Sequence, residues 1–400
     1  MKHICFLVAE HPFLDARIFQ KEAKSLVRRG YKVTLIVPKK KGRLFDTSGR
    51  LLTEQFLEQA FEYEGVHFLA YDPPKQKRQL ARQIALLKSG KLESMPSPCV
   101  DLAVSVEADL YHAHEFASCY DGVMVKRALK SKGKEVKLVY DSHELVPDPL
   151  EPYSQRVFQQ MSTLLKELFL EVDTIFTVSP SIRNYYQKLG YTKPIDILYN
   201  SPFLMPFKQE EKHRSSPLVL GYIGKLTKNK GDADKLIEIV KRANQTIPLQ
   251  ALIIGDRIET ESIPATIRKN IRSTGWLPYE QIVMACATID VGWIELNTSN
   301  ALNRMYSMPN KFFSYLERAI PPIVPSSKDM EDFINTYECG FIIEKSGSVD
   351  AYVEKLIDLY QDRSKLLLAG QKGRYVLEKT YSWDQMEYRL YARYAQLFQV

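Results

Sequence analysis

The stretch Met308–Pro325, MPNKFFSYLERAIPPIVP, decides how the rest of the chain is read. It predicts a loop, a short helix and a buried strand. Pro309 and Asn310 open it, and proline is favoured at a helix entry. Phe312, Phe313 and Leu316 fall at helical spacing and make one apolar face. Pro321 and Pro322 stop the helix before the strand that starts at Ile323-Val324. Asn310, Lys311 and the helix N-terminus are thereby expected together at a sheet end, where open α/β sheets bind ligands. A helix N-terminus beside a lysine suits a phosphate or diphosphate. The plain alternative is an ordinary helix entry, and this stretch alone does not separate the two.

A chain of 400 residues is expected to form two domains. Its 45% hydrophobic and 26% charged residues are those of a globular protein, and the net charge of +7 favours anionic partners such as nucleotides, phosphates or acidic membranes. Cys5, Cys99, Cys119, Cys286 and Cys339 are scattered without a C-x-x-C pair, which predicts reduced thiols rather than disulfides or a zinc site. The N-terminal apolar run is too short for a signal peptide, and no segment approaches the roughly 20 apolar residues of a membrane span. The expected location is the cytoplasm.

Residues 3–9 (HICFLVA) predict a buried parallel strand. A loop with His11, Asp15 and Arg17 follows, then a helix ended by Gly30, then the strand YKVTLIVP: a βαβ unit. Asp15 and Arg17 lie at a strand's carboxyl end, where a ligand role and a structural role are both open. Residues 75–92 carry six Lys or Arg and no acid. Leu80, Ile84 and Leu87 share one face there, with Arg78 and Arg82 opposite. That pattern fits either a helix lying on an anionic membrane or a solvated helix packed on the core. Nucleic acid is not expected, because no aromatic interleaving accompanies the charge. ADLYHAHE ends in His112, His114 and Glu115, and KLVYDSHELVP brings Asp141, His143 and Glu144. Both runs deliver acid–base side chains to strand ends. His112 and His114 are taken to point to opposite faces, which argues against a shared metal.

Residues 205–217 (MPFKQEEKHRSSP) are charged and proline-bounded, and read as a linker. The domains are then 1–204 and 218–382, with the aromatic helix at about 383–400 open to packing on either. The second half restarts the alternation of strand and helix. After the strand LVLGYIG, the loop beyond Gly224 holds Lys225, Lys228 and Lys230 before Gly231 and a helix. Three ammonium groups at a helix start make a diphosphate cradle, though the spacing is not that of a Walker loop. A solvated basic turn is the alternative. LQALIIGD ends in Gly255-Asp256.

Seven strings come in an order that resembles the GT-B glycosyltransferases, in particular the retaining family 4 (group 1): HPFLDARIFQKEAKSLVRRGYKVTLIVP, ADLYHAHE, VYDSHEL, TVSPSIR, GYIGKLTKNKG, the IIGD and STGWLP pair, and PNKFFSYLERAIPPIVPS. The resemblance covers nearly the whole chain. It implies two doubly wound, Rossmann-like parallel-sheet α/β domains facing across a cleft, and a nucleoside-diphosphate sugar held mainly by the second. Donor contacts would come from Gly224, Lys225, Lys230, Asp256, Asn310, Lys311 and Ser314. His114, Asp141 and His143 would be the catalytic side chains, and Asp15, Arg17, Glu115 and Glu144 the acceptor side. The resemblance implies no metal site and no cofactor beyond the co-substrate, a glycan or lipid-linked acceptor, and cell-envelope polysaccharide synthesis in the cytoplasm or at the membrane's inner face. One departure stands out. The family's paired glutamates are replaced by Tyr306 and Ser314, leaving Glu317 and Glu295 nearby, and the glycine before the prolines is replaced by Ala319-Ile320. A catalytically silent scaffold, or an epimerase of the same fold, is therefore kept beside the transferase reading.

Overall fold

The computed structural model describes the chain except residues 48, 53–57, 75–78, 90–96, 207–215, 227–230, 278, 344–346 and 400. It divides into two compact units, Met1–Leu198 with Glu387–Val400, and Tyr199–Met386. The division falls after Leu198 rather than after residue 204, and residues 207–215 of the expected linker lie outside the described residues.

The first unit is built on a sheet of β1 (His3–Val8), β2 (Lys32–Pro38), β3 (Ala60–Tyr63), β4 (Val66–Tyr71), β5 (Leu110–His114), β6 (Lys137–Ser142), β7 (Thr174–Thr177) and β8 (Ile195–Ile197), in the order β3-β4-β2-β1-β5-β6-β7-β8. Only the β3–β4 pair is antiparallel among the described pairings. The continuous apolar runs arise because helices cover both faces of a parallel sheet; Ile4 to Val8 are all buried. Register brings Val8 opposite His114, and His114 opposite Asp141, so three strands end at one level. Ser179 caps the helix Pro180–Lys188, accepting from the Ile182 amide with proline at the first turn. From the chain's end, Tyr394 bonds His112, Arg389 donates to the Ile197 carbonyl, and Arg393 pairs with Asp196.

The basic helix is described over Leu80–Ser89; residues 75–78 and 90–92 of the expected basic stretch lie outside the described residues. It packs on the helix Gln155–Glu171, burying Leu87 and Gln83 while Arg82 faces outward. Among the described residues, no helix is long and apolar enough to cross a membrane.

The second unit carries β9 (Leu218–Ile223), β10 (Leu249–Ile254), β11 (Ile271–Ser273), β12 (Val291–Trp293), β13 (Pro322–Pro325) and β14 (Phe341–Ile343), in the order β11-β10-β9-β12-β13-β14. The helix Asn310–Glu317 lies over β9 and β12, and one residue fixes it there. The Tyr315 ring is fully buried, its hydroxyl donates to the Gly221 carbonyl at 2.9 Å, and it accepts the Ile223 amide at 3.1 Å. Glycine in β12 admits it: a Cβ on Gly292 would lie 2.4 Å from the Tyr315 ring. Phe312, Phe313 and Leu316 are fully buried. Ala319 ends the helix at φ 51°, the left-handed conformation a glycine adopts without strain.

Candidate functional site

In the first unit the polar groups at the ends of β1, β5 and β6 form one cluster. Arg17 stands at its centre, 3% exposed. It donates to both oxygens of Asp141 (Nη2–Oδ1 2.7 Å, Nε–Oδ2 3.1 Å) and to the Leu198 carbonyl at 2.7 Å. The planar guanidinium fits a carboxylate in two parallel bonds, which is why arginine holds a buried acid here. Glu22, fully buried, comes within 2.8 Å of the same guanidinium. Two carboxyl groups share one cation, and their protonation separates. Burial pushes Asp141 up, but Arg17 and the histidines reverse this and hold it well below the usual carboxylate range. Burial and the neighbouring Asp141 push Glu22 well above that range, against the pull of Arg17.

His143 Nε2 is 3.0 Å from Asp141 Oδ2, and His114 Nδ1 is 3.4 Å from the same oxygen. Burial brings His114 down to about 4, and His112 is also held well below the usual range. Both imidazoles are therefore neutral at pH 7. The Nε2 atoms of His112 and His114 are buried with no hydrogen-bond partner among the described residues. Nearer the surface, His11 lies between Asp15 (3.3 Å) and Glu115 (3.7 Å). Burial alone would lower it, but the two carboxylates raise it to about 10. Asp15 also accepts the Arg17 and Ile18 amides, closing the loop after β1. Glu115 opens the helix Glu115–Ser131 at φ 71°, a strained backbone of the sort that collects at functional sites.

In the second unit, the helix Asn310–Glu317 brings Lys311 to the end of β9. Its ammonium sits 3.7 Å from the Tyr222 ring centroid, and a Cβ on Gly224 would lie 3.3 Å from it. The negative face of the aromatic ring attracts the cation. Gly224 has φ 121°, and a Cβ on Gly255 would lie 3.4 Å from its backbone, so both strand ends are bare. Asp256 ties the two loops by accepting the Leu226 and Arg257 amides.

Two family models cover most of the chain: Glycosyltransferase Family 4 over residues 16–201 and Glycosyl transferases group 1 over residues 206–375. The chain belongs to the group 1 glycosyltransferases. Their GT-B fold is also that of solved structures similar to it. Sucrose-phosphate synthase from Thermosynechococcus elongatus is 13% identical, with 100% of each chain covered and a TM-score of 0.68. HepE from Anabaena, solved with UDP-glucose, is 13% identical over 99% of this chain and 100% of its own, with a TM-score of 0.67. TarM is 12% identical over 100% of this chain and 99% of its own, at 0.66. No curated protein matched.

The glycosyltransferase places its expected site residues in two groups. Asp15, Arg17, His114, Glu115, Asp141 and His143 come together in the first unit. Glu144 is exposed, and its backbone carbonyl accepts the Ser142 hydroxyl. In the second unit Gly224 and Lys311 meet. Lys225 is exposed, with its carbonyl accepting the Tyr222 hydroxyl; Lys228 and Lys230 lie outside the described residues. Asn310 is exposed, and its carbonyl takes the Ser314 hydroxyl at 3.1 Å. Neither spare glutamate stands free for a ribose. Glu317 is 2% exposed and accepts the Met205 amide beside Arg318 and Arg374. Glu295 is held by Lys235 at 2.7 Å and by the Tyr352 hydroxyl at 2.8 Å. Tyr306 closes the short helix Leu302–Met305.

One expectation was wrong. His112 and His114 do not face opposite ways: their rings stack at 4.3 Å. The side-chain period of a strand is two, so residues i and i+2 share a face. Two groups then place possible ligand atoms within 4.8 Å of one another, Glu22 with His112, His114 and Asp141, and His11 with Glu115 and His143. Glu22 was not singled out from the sequence. A signal was there: Phe19, Glu22, Ala23 and Leu26 fall at i, i+3, i+4 and i+7, which sets a carboxyl on an apolar face. The segment Ile18–Ala23 is a π-helix, a wider turn often found at functional sites.

Proposed function

We propose that this glycosyltransferase moves a sugar from a nucleoside-diphosphate sugar to a hydroxyl of a glycan or lipid-linked acceptor, with retention of configuration, in cell-surface glycan synthesis. The observation that carries the reading is Lys311 fixed over Tyr222 beside the bare strand end at Gly224. A cation, a helix N-terminus and glycine backbone at one sheet end are what a leaving diphosphate requires. In the sequence of the following loop Lys225 and Lys230 add positive charge, which supports transfer without a metal at the diphosphate. HepE, solved with UDP-glucose, supports a nucleotide-sugar donor. The acceptor hydroxyl attacks the anomeric carbon on the leaving-group face, with the diphosphate as its base. His114, neutral and with a buried nitrogen that has no partner among the described residues, orients sugar or acceptor, and Asp141 and His143 shape the acceptor pocket.

The test is a thermal-shift screen against UDP-, GDP-, ADP-, TDP- and CMP-sugars, followed by product stereochemistry with the donor that binds. One donor should stabilise the protein, and Lys311→Ala should weaken it more than tenfold; Lys230→Ala should do the same. Unchanged affinity in both removes the diphosphate assignment. The silent-scaffold reading has its own support, because Ser314 stands where the family has glutamate and Glu295 and Glu317 are both engaged. No shift with any donor favours it. The basic stretch 75–92 is proposed to bind anionic membrane; liposome flotation that is salt-sensitive and needs anionic lipid supports this, and its absence removes it.

A further inference from the structure

We propose that His11 Nε2, His143 Nδ1 and Glu115 Oε1 form a binding site for one divalent first-row transition ion, zinc by preference, at the mouth of the first unit. The two imidazole nitrogens stand 3.7 and 3.4 Å from the same carboxylate oxygen. Both distances exceed a hydrogen bond. They match the spacing of about 3.3 Å between ligand atoms that each sit about 2.0–2.1 Å from a tetrahedral ion. All three ligand atoms lie within 4.8 Å of one another.

The other nitrogen of each imidazole supplies an independent argument. His11 turns Nδ1 to Asp15 at 3.3 Å, and His143 turns Nε2 to Asp141 at 3.0 Å. A metal-binding histidine commonly gives its second nitrogen to a carboxylate in this way, which fixes the tautomer and raises the basicity of the free nitrogen. Here both rings do so, through opposite nitrogens, and both aim the remaining one at Glu115; without an ion His11 carries a proton between Asp15 and Glu115, and the ion takes that proton's place. Two imidazoles and one carboxylate suit zinc, cobalt or nickel, and leave a fourth position for water. The side chains of His11, Glu115 and His143 are 28%, 15% and 12% exposed, so an ion can reach them.

The deeper group of Glu22, His112, His114 and Asp141 is the weaker candidate. Arg17 lies 2.7–2.8 Å from its carboxyl groups and already occupies the position of a cation. In the outer group an ion would tie the loop after β1, the start of the helix Glu115–Ser131 and the end of β6 into one brace. All three ligands belong to the first unit, and cobalt binding is read independently of donor binding.

The experiment uses the full chain, stripped with a chelator and dialysed. Titration with Co2+ should develop visible ligand-field absorption that saturates at one ion per chain, and Zn2+ should bleach it. His11→Ala and Glu115→Gln should each weaken binding at least tenfold, with the circular dichroism spectrum unchanged. His67→Ala, on β4, should bind as the parent does. No cobalt spectrum up to millimolar ion, or binding that survives both substitutions, overturns the proposal.

Discussion

Arg17 is bonded to Asp141 through two nitrogens and lies within 2.8 Å of Glu22, so its removal leaves a buried carboxylate with no cation. Breaking such a pair from one side costs about 3–5 kcal/mol. Arg17→Met is expected to lower stability by that amount in denaturant titrations, and Arg17→Lys to recover little of it, because an ammonium cannot make the paired bonds. A loss under 1 kcal/mol would show that the cluster does not hold the first unit together. The histidines set a pH window. His11 rises from 6.5 to about 10 in the folded chain, so its contribution is complete below pH 6.5 and is lost as pH rises toward 10. His114 falls from 6.5 to about 4, so its contribution is complete above pH 6.5 and is lost as pH falls toward 4. Chelator-treated protein should therefore be most stable near pH 6.5. His11→Gln should flatten the alkaline limb and leave the acid limb in place; an alkaline limb identical to the parent's would refute the assignment.

The helix Asn310–Glu317 is the element on which the proposed donor site depends, and its C-terminus and the strand it packs on offer opposite tests. At its C-terminus Ala319 adopts φ 51°, and Ala319→Gly relieves left-handed strain at the expense of unfolded-state freedom. The net expected is a gain of about 0.5–1 kcal/mol, read as a small rise in Tm. In β9, Gly221→Ala would set a Cβ 2.3 Å from Ile289 Cδ1 and 2.6 Å from its Cγ1 and Cγ2, so the whole branched side chain must move. It should cost about 1–3 kcal/mol and weaken donor binding with it, since Tyr315 bonds the same residue. If the substitution destabilises the protein but leaves donor affinity intact, Tyr315 does not register the helix.

At the scale of the molecule, the final residues Glu387–Val400 belong to the first unit. Leu390 and Tyr394 are fully buried there, and Tyr394 reaches His112 with its hydroxyl at 2.6 Å. Burial of each such side chain contributes about 1.5–3 kcal/mol. A chain ending at Met386 should lose about 3–6 kcal/mol from the first unit while the second keeps its own core. Hydrogen exchange should show faster exchange at β5 and β6 and unchanged protection at β9 and β10; equal loss in both would disprove the assignment.

Sequence alone determined the class of this protein. Runs such as HICFLV and LVLGYI read as strands buried on both faces by their length and β-branched content, and their alternation with helical spacing predicts two parallel sheets. Local pattern also placed Asp15, His114, Asp141 and Lys311 at strand and helix ends. What tertiary structure decided was who meets whom. Arg17 and Asp141 are 124 positions apart, and no local rule pairs them. Spacing puts Glu22 on an apolar face, but only packing brings Arg17 and His112 beside it, and Lys311 meets the Tyr222 ring when packing lays the helix over it. Periodicity reports which face of an element is apolar; the upward push on Glu22, the neutrality of His114 and the convergence of three ligand atoms on one point depend on distances that only the packed fold sets.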